Sequence, residues 1–142
     1  REFELNVGAV ILSPGLERYD PQVRQELGFG RWPYVVSSIQ FERSLSAAGP
    51  FTGEIKGPSD ERLPKKIAWL QCIGSRGVHA GAKGYCSSAC CTYAIKEAML
   101  AKEHSKDPLD TAIFYMDIRT HGKDFERYYN RGVEEEGIRF VK

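Results

Sequence analysis

The chain has four cysteines, and they bunch: Cys72, Cys86, Cys90 and Cys91, in the spacing C-x13-C-x3-C-C. Four thiolates are the donor set of a tetrahedral sulfur site or of a cubane iron–sulfur cluster. Other uses of the same residues compete with that reading. Two structural disulfides would normally spread out to close several loops, and a bond between the adjacent Cys90 and Cys91 would be strained. Four inert, buried thiols would have no cause to sit so close together. Structural zinc sites are mostly built from pairs with short spacing such as C-x2-C, and no such pair occurs here. An adjacent Cys-Cys with a partner four residues earlier is also awkward around one small ion. The spacing therefore favours a [4Fe–4S] cluster on Cys72, Cys86, Cys90 and Cys91, with zinc as the nearest rival.

Thiols far apart in sequence must be brought together by regular elements, and the second half of the chain reads as such elements. Residues 66–71 (KIAWLQ) predict a buried strand, and a glycine-rich loop over 74–84 follows it. Ser87 or Ser88 is placed to start a helix running to about His104, where Asp107-Pro108 breaks the pattern. Residues 111–118 (TAIFYMDI) predict another apolar strand, 123–135 a second helix ended by Gly137, and 138–141 a third strand. Strand, helix, strand, helix, strand implies a parallel sheet with right-handed crossovers. The expected fold is α/β, a Rossmann-like three-layer half-domain over 66–142.

In that arrangement Cys72 closes the first strand, while Cys86, Cys90 and Cys91 open the next helix. Cys86 and Cys90 are then expected on one helix face, with Cys91 turned about 100° further round. This junction is where a nucleotide-binding unit carries G-x-G-x-x-G, but the residues here are Cys72-Ile73-Gly74-Ser75-Arg76-Gly77. A helix N-terminus carries about half a positive charge, which favours thiolates and an anionic cluster alike. Along the helix, Ala94, Ala98 and Ala101 form a small-residue face for the sheet, and Lys96, Glu97, Lys102 and Glu103 are expected to face water.

The first half is less regular. Residues 2–5 and 8–12 predict two short strands, the second continuously apolar and stopped at Ser13-Pro14-Gly15. Ser37 followed by Gln40 is a capping box, so a short helix is expected to about Leu45. Residues 1–65 thus form a preceding segment of two short strands, a loop and a helix, joined to 66–142 in one compact domain. A chain that opens on Arg1 is expected to be a piece of a longer protein.

At 142 residues, 42% hydrophobic and 27% charged, the composition is that of an ordinary globular domain. Twenty basic against nineteen acidic residues leave a formal charge of +1, and no basic stripe interleaved with aromatics suggests nucleic acid. The apolar run at 7–12 is too short to cross a bilayer. His79, His104 and His121 are isolated and read as solvated, with His79 alone placed in the cysteine loop. Asp117 at a strand end is where an acid binds the adenosine ribose of NAD, although the usual glycines are missing; its plainer role is to pair with Arg119 or cap a loop. No paired carboxylates or Ser/His/Asp arrangement stands out, so no catalytic residue is assigned.

KKIAWLQCIGSR at 65–76, YCSSACCTYAIKEA at 85–98, FYMDIR at 114–119 and GKDFE at 122–126 together resemble the A-type subunits of heterodisulfide reductase. The flavoprotein component of the quinone-interacting membrane-bound oxidoreductase is similar. The resemblance runs from about Gly8 to the end of the chain. It implies a cytoplasmic iron–sulfur flavoprotein with a thioredoxin-reductase-like core, in which this cysteine pattern binds a [4Fe–4S] cluster. It implies FAD in the full-length protein, electron transfer to other subunits of a heterodisulfide reductase-type or quinone-interacting complex, and a homodimer as a further expectation. Residues 8–15 look like the strand and turn that return to the FAD domain in such proteins. Gly15 matches that turn, while Ser13 and Pro14 depart from it and so weigh against a flavin contact there; Gly15 and Ser13 are the candidate flavin residues of this stretch. The piece alone is expected neither to hold FAD firmly nor to be active. The readings outside this family are a zinc- or disulfide-stabilised interaction module and a pyridine-nucleotide-binding domain.

Overall fold

The pairing of Trp69 with Ile113 and of Ile113 with Phe140 sets the centre of a three-stranded parallel sheet. The computed structural model describes residues 2–142. The elements are α1 (Ser38–Leu45), β1 (Lys66–Leu70), α2 (Cys90–His104), β2 (Asp110–Phe114), α3 (Phe125–Glu134) and β3 (Arg139–Val141), with two short 3₁₀ turns at Pro21–Val23 and Gln25–Leu27. The sheet order is β1-β2-β3, each pair parallel. This is the β-α-β-α-β half-domain of the Rossmann type that the alternating pattern implies.

Side-chain alternation decides which face of the sheet is covered. Ile67, Trp69, Thr111, Ile113 and Phe140 share one face by register. Against it lie Ala94, Ile95 and Ala98 of α2, all fully buried, with Met99, Leu109 and Ile138 closing the core. The Phe41 ring of α1 meets Trp69 edge-on at 5.6 Å, and Tyr129 of α3 meets Phe140 at 4.8 Å. The helices thus pack on the same side. On the other face Leu70 and Phe114 remain exposed, so the described residues supply one helical layer and leave the second face open.

The capping box forms as expected. Ser37 N–H donates to Gln40 Oε1 at 2.8 Å, and Gln40 N–H donates to Ser37 Oγ at 3.4 Å. Helices α2 and α3 have no side-chain cap at all. The two strands expected over 2–5 and 8–12 are not formed. That stretch takes no regular structure, and Val10, Ile11 and Leu12 stand 74%, 89% and 84% exposed. A strand is half of a pair, and no strand among the described residues lies beside this run to accept its backbone hydrogen bonds. Helix α2 also starts later than expected, at Cys90. Ser88 has a left-handed φ of 61°, which cannot continue a right-handed helix.

Candidate metal centre

Strand β1 runs out at Leu70, and two residues later Cys72 adopts a left-handed φ of 59°. Arg76 and Ser88, in the same loop, have φ of 60° and 61°. Non-glycine residues avoid this region unless the surroundings hold them there, and such residues gather at functional sites. The loop doubles back on itself. Lys83 N–H donates to Gly74 O at 3.0 Å and Arg76 N–H to Tyr85 O at 3.2 Å, which returns Cys86 toward the start of the loop. The segment before α1 braces it from outside. Tyr19 lies so close over Gly74 that a Cβ there would sit 2.3 Å from the ring, so only glycine fits. His79 is part of this bracing: its Nε2 lies 2.8 Å from Ile73 O and 3.2 Å from a guanidinium nitrogen of Arg24.

Cys90 and Cys91 are the first two residues of α2, where backbone N–H groups have no helical acceptor and no side chain caps them. All four cysteines are free thiols; Cys91 is buried and the other three are half-buried. The hydrogen bond from the Cys91 thiol, aided by Ser87 against the cost of burial, brings Cys90 down to about 6. The same hydrogen bond, then burial, push Cys91 up. The two titrate as a pair: one thiolate forms readily and the second is held back. Cys72 adds to the negative charge felt by Cys91 and so belongs to the same electrostatic neighbourhood.

Cys86 departs from the expectation. It lies before the helix rather than on it, so it does not share a helix face with Cys90. Its sulfur accepts from Ser88 N–H at 3.3 Å, turned toward its own backbone. Among the described residues no three Cys, His, Asp or Glu side chains are drawn to metal-binding distance.

The loop after β2 supplies the far wall. Asp117 is not the last residue of a strand, because β2 ends at Phe114. Its partner is Arg76, 41 positions away, rather than Arg119: Arg76 Nη2 donates to Asp117 Oδ2 at 2.7 Å. The guanidinium holds the Asp117 carboxyl below the usual range. The Asp117 main-chain oxygen lies 3.8 Å from Cys91 Sγ. Sequence reasoning missed Arg76 altogether; the only local signal was a basic residue four positions after a candidate ligand. Ser13 and Gly15 lie in the exposed N-terminal stretch, where no turn forms, and Gly15 has a left-handed φ of 79°. His104 bonds Gly53 O at 2.9 Å and is not simply solvated.

One further correction concerns α2. Glu97 does not face water; it is fully buried. It follows Ala94 by three residues, which places it on the face that α2 turns to the sheet. Trp69 Nε1 donates to Glu97 Oε2 at 2.8 Å and Ser38 Oγ donates to Oε1, so one carboxyl ties β1 and α1 to α2. Burial raises it to about 7.

The donor chemistry suits an anionic, sulfur-rich group. Cys90 and Cys91 open an uncapped helix with Cys72 acting on them, Cys86 precedes it, all four are free thiols, and Arg76 Nη1 is buried with no hydrogen-bond partner. Fold and site together define an α/β half-domain with its thiols at the first strand-to-helix junction. No family model matches the chain. It is 41% identical over 99% of its length to the A-type component of the H2:CoB-CoM heterodisulfide, ferredoxin reductase of Methanothermobacter marburgensis. It is 44% identical over 98% of its length to an A-type iron-sulfur component of the CoB–CoM heterodisulfide reductase of Methanopyrus kandleri, and 39% identical over 99% to the corresponding iron-sulfur component of Methanocaldococcus jannaschii. The chain spans 21% of the length of each of these relatives. Over that aligned stretch it is similar to the A-type subunits of heterodisulfide reductase. Among the described residues no helix is long and apolar enough to cross a membrane.

Proposed function

We propose that Cys72, Cys86, Cys90 and Cys91 bind one [4Fe–4S] cluster, and that this segment relays electrons in a heterodisulfide reductase A-type oxidoreductase. The observation that carries the reading is the pair Cys90 and Cys91 at the uncapped start of α2, on which Cys72 acts from just past β1, with Cys86 free in the loop between. Bound there, a cluster would accept and release single electrons. The chain's own part is to hold that charge. The α2 amides and the helix dipole favour thiolate sulfur, and the Tyr19 and His79 braces keep the loop against the strand end. Two of the relatives carry the words iron-sulfur in their names, which supports the metal without specifying the cluster type.

The complete protein, on this reading, is a cytoplasmic flavoprotein that uses FAD and passes electrons to other subunits of its complex, those of a heterodisulfide reductase or of a quinone-interacting assembly, and self-associates as a homodimer. Ser13 and Gly15 are its proposed flavin contacts in this stretch, supported by the left-handed φ of Gly15. Residues 2–65 and 66–142 act as one domain, joined through α1, whose Ser38 bonds Glu97 of α2.

The test is iron and acid-labile sulfide in the anaerobically prepared complete polypeptide, wild type against Cys90→Ala. The expected difference is about four irons and about four sulfides per chain, with loss of a broad visible absorption. A colourless wild type that binds one zinc, or equal iron in the two proteins, overturns the proposal.

A further inference from the structure

Arg76 combines features that an ordinary surface ion pair does not need. It sits four residues after Cys72 in a left-handed conformation. Its side chain reaches across to the loop after β2, where Nη2 is taken by Asp117 Oδ2 at 2.7 Å. Its main-chain N–H is taken by Tyr85 O at 3.2 Å, next to Cys86. Its guanidinium faces the Cys72 thiol. Its remaining terminal nitrogen, Nη1, is buried and has no acceptor. A guanidinium keeps its charge at every accessible pH, so an enclosed N–H of this kind is a fixed donor awaiting an electron-rich atom. The one cysteine that acts on this guanidinium is Cys72, and Asp117, which grips the other half of the fork, also presents its main-chain oxygen to Cys91.

We infer that Arg76 sets the electron affinity of the centre held by the cysteines: its Nη1 N–H donates to a sulfur of that centre, and Asp117 aims it. The inference rests on the cluster reading above. Adding one electron makes the centre more negative, so a fixed cation and a hydrogen bond to sulfur favour the reduced form and raise the potential. Arg76 is in this sense a tuning residue, and Asp117 is a positioning residue that acts through it. If the pair only fastened two loops together, its loss would change stability and leave the potential where it was.

The experiment is an EPR-monitored redox titration of the anaerobically prepared complete polypeptide, following the signal that Cys90→Ala removes. In Arg76→Gln, at the wild-type midpoint, the reduced-to-oxidised ratio is expected to fall at least tenfold, which is 59 mV for one electron. Arg76→Lys keeps the charge and loses the fork, and a fall of about threefold is expected. Asp117→Asn leaves the guanidinium in place but frees it to wander, and its expected midpoint lies between those of wild type and Arg76→Gln. Arg76→Gln with full iron content and the wild-type midpoint overturns the inference. Should Arg76→Gln fail to retain iron, Arg76→Lys decides: a lowered midpoint supports the role and an unchanged one removes it. A wild type with no signal for Cys90→Ala to remove refutes the centre itself, and Arg76's role with it.

Discussion

The two strand-to-helix junctions of this sheet share a topology and differ in almost everything else. Between β1 and α2 the chain makes a long, folded-back loop with three left-handed non-glycine residues, Cys72, Arg76 and Ser88. Between β2 and α3 it makes a shorter connection with one such residue, Asp124, at the helix start. Neither helix is capped by a side chain, so both offer free N–H groups. Only the first offers thiols. A helix start alone is therefore not what distinguishes the site. The distinction lies in loop length, in strain held in place by bracing residues, and in donors from the neighbouring loop. The second junction contributes to the first, through Asp117, without having a site of its own.

The sharpest way to break this comparison is to change one residue at each junction. Cys91→Ser is expected to remove essentially all iron from the anaerobically prepared protein, because the one buried sulfur of the set is lost. Asp124→Asn keeps a residue that tolerates a left-handed backbone and is expected to leave the iron content unchanged. Metal analysis of both proteins settles the matter. Equal iron in the two variants would mean that the junctions are not functionally different in the way their geometry suggests.

A second contrast lies within α2, between its thiol end and its buried middle. Glu97 is raised from 4.5 to about 7, chiefly by burial, with Glu42 raising it further and Ser38, Trp69 and Lys96 pulling it down. A carboxyl whose folded pKa is raised prefers to be neutral in the folded protein. Its contribution to stability is fully present below the unfolded value of 4.5 and is lost as pH rises through about 7. A gap of that size is worth about 3 kcal/mol. Glu97→Gln keeps a carbonyl oxygen for Trp69 N–H, offers its amide N–H to the Ser38 hydroxyl oxygen in place of the second acceptor, and cannot ionise. Urea unfolding of the two proteins between pH 4.5 and 8 is therefore expected to show wild-type stability falling by about that amount relative to the variant. Parallel curves would show that Glu97 titrates normally and that the core does not resist its charge.

Much of the framework was legible because it rests on local chemistry. The capping box at Ser37 and Gln40, the apolar strands around Trp69 and Ile113, and the bunched cysteines each declare themselves within a few residues. What misled was whatever depended on a distant partner. The run at 8–12 has the composition of a buried strand, but burial needs a neighbour, and composition cannot supply one. Glu97 looked solvent-facing by its charge, although its spacing from Ala94 and Ala101 already placed it on the inner face. Ser87 and Ser88 looked like helix caps, yet the left-handed turn at Ser88 delays the helix to Cys90 and strands Cys86 outside it. Arg76 was invisible because its meaning comes from Asp117, which only the parallel sheet brings within reach.

The smallest effect tests whether an orphaned polar atom marks a function or only a flaw. Among the described residues two such atoms lie in the β-α-β half, Arg76 Nη1 beside the cysteines and Thr111 Oγ1 in β2. Thr111 pairs in register with Ile67 and is 1% exposed, with no hydrogen-bond partner for its hydroxyl. That hydroxyl lost water on folding and gained nothing, so Thr111→Val, which keeps the β-branched shape, is expected to stabilise the fold by about 1 kcal/mol. The cluster and its potential should not change. Arg76→Gln should do the reverse, moving the potential while stability shifts little, because a partly exposed ion pair contributes little to folding. Urea midpoints and redox titrations on both variants read the two axes independently. If Thr111→Val moved the potential as much as Arg76→Gln, burial without a partner would be no guide to function in this domain, and the case for Arg76 would reduce to its nearness to sulfur.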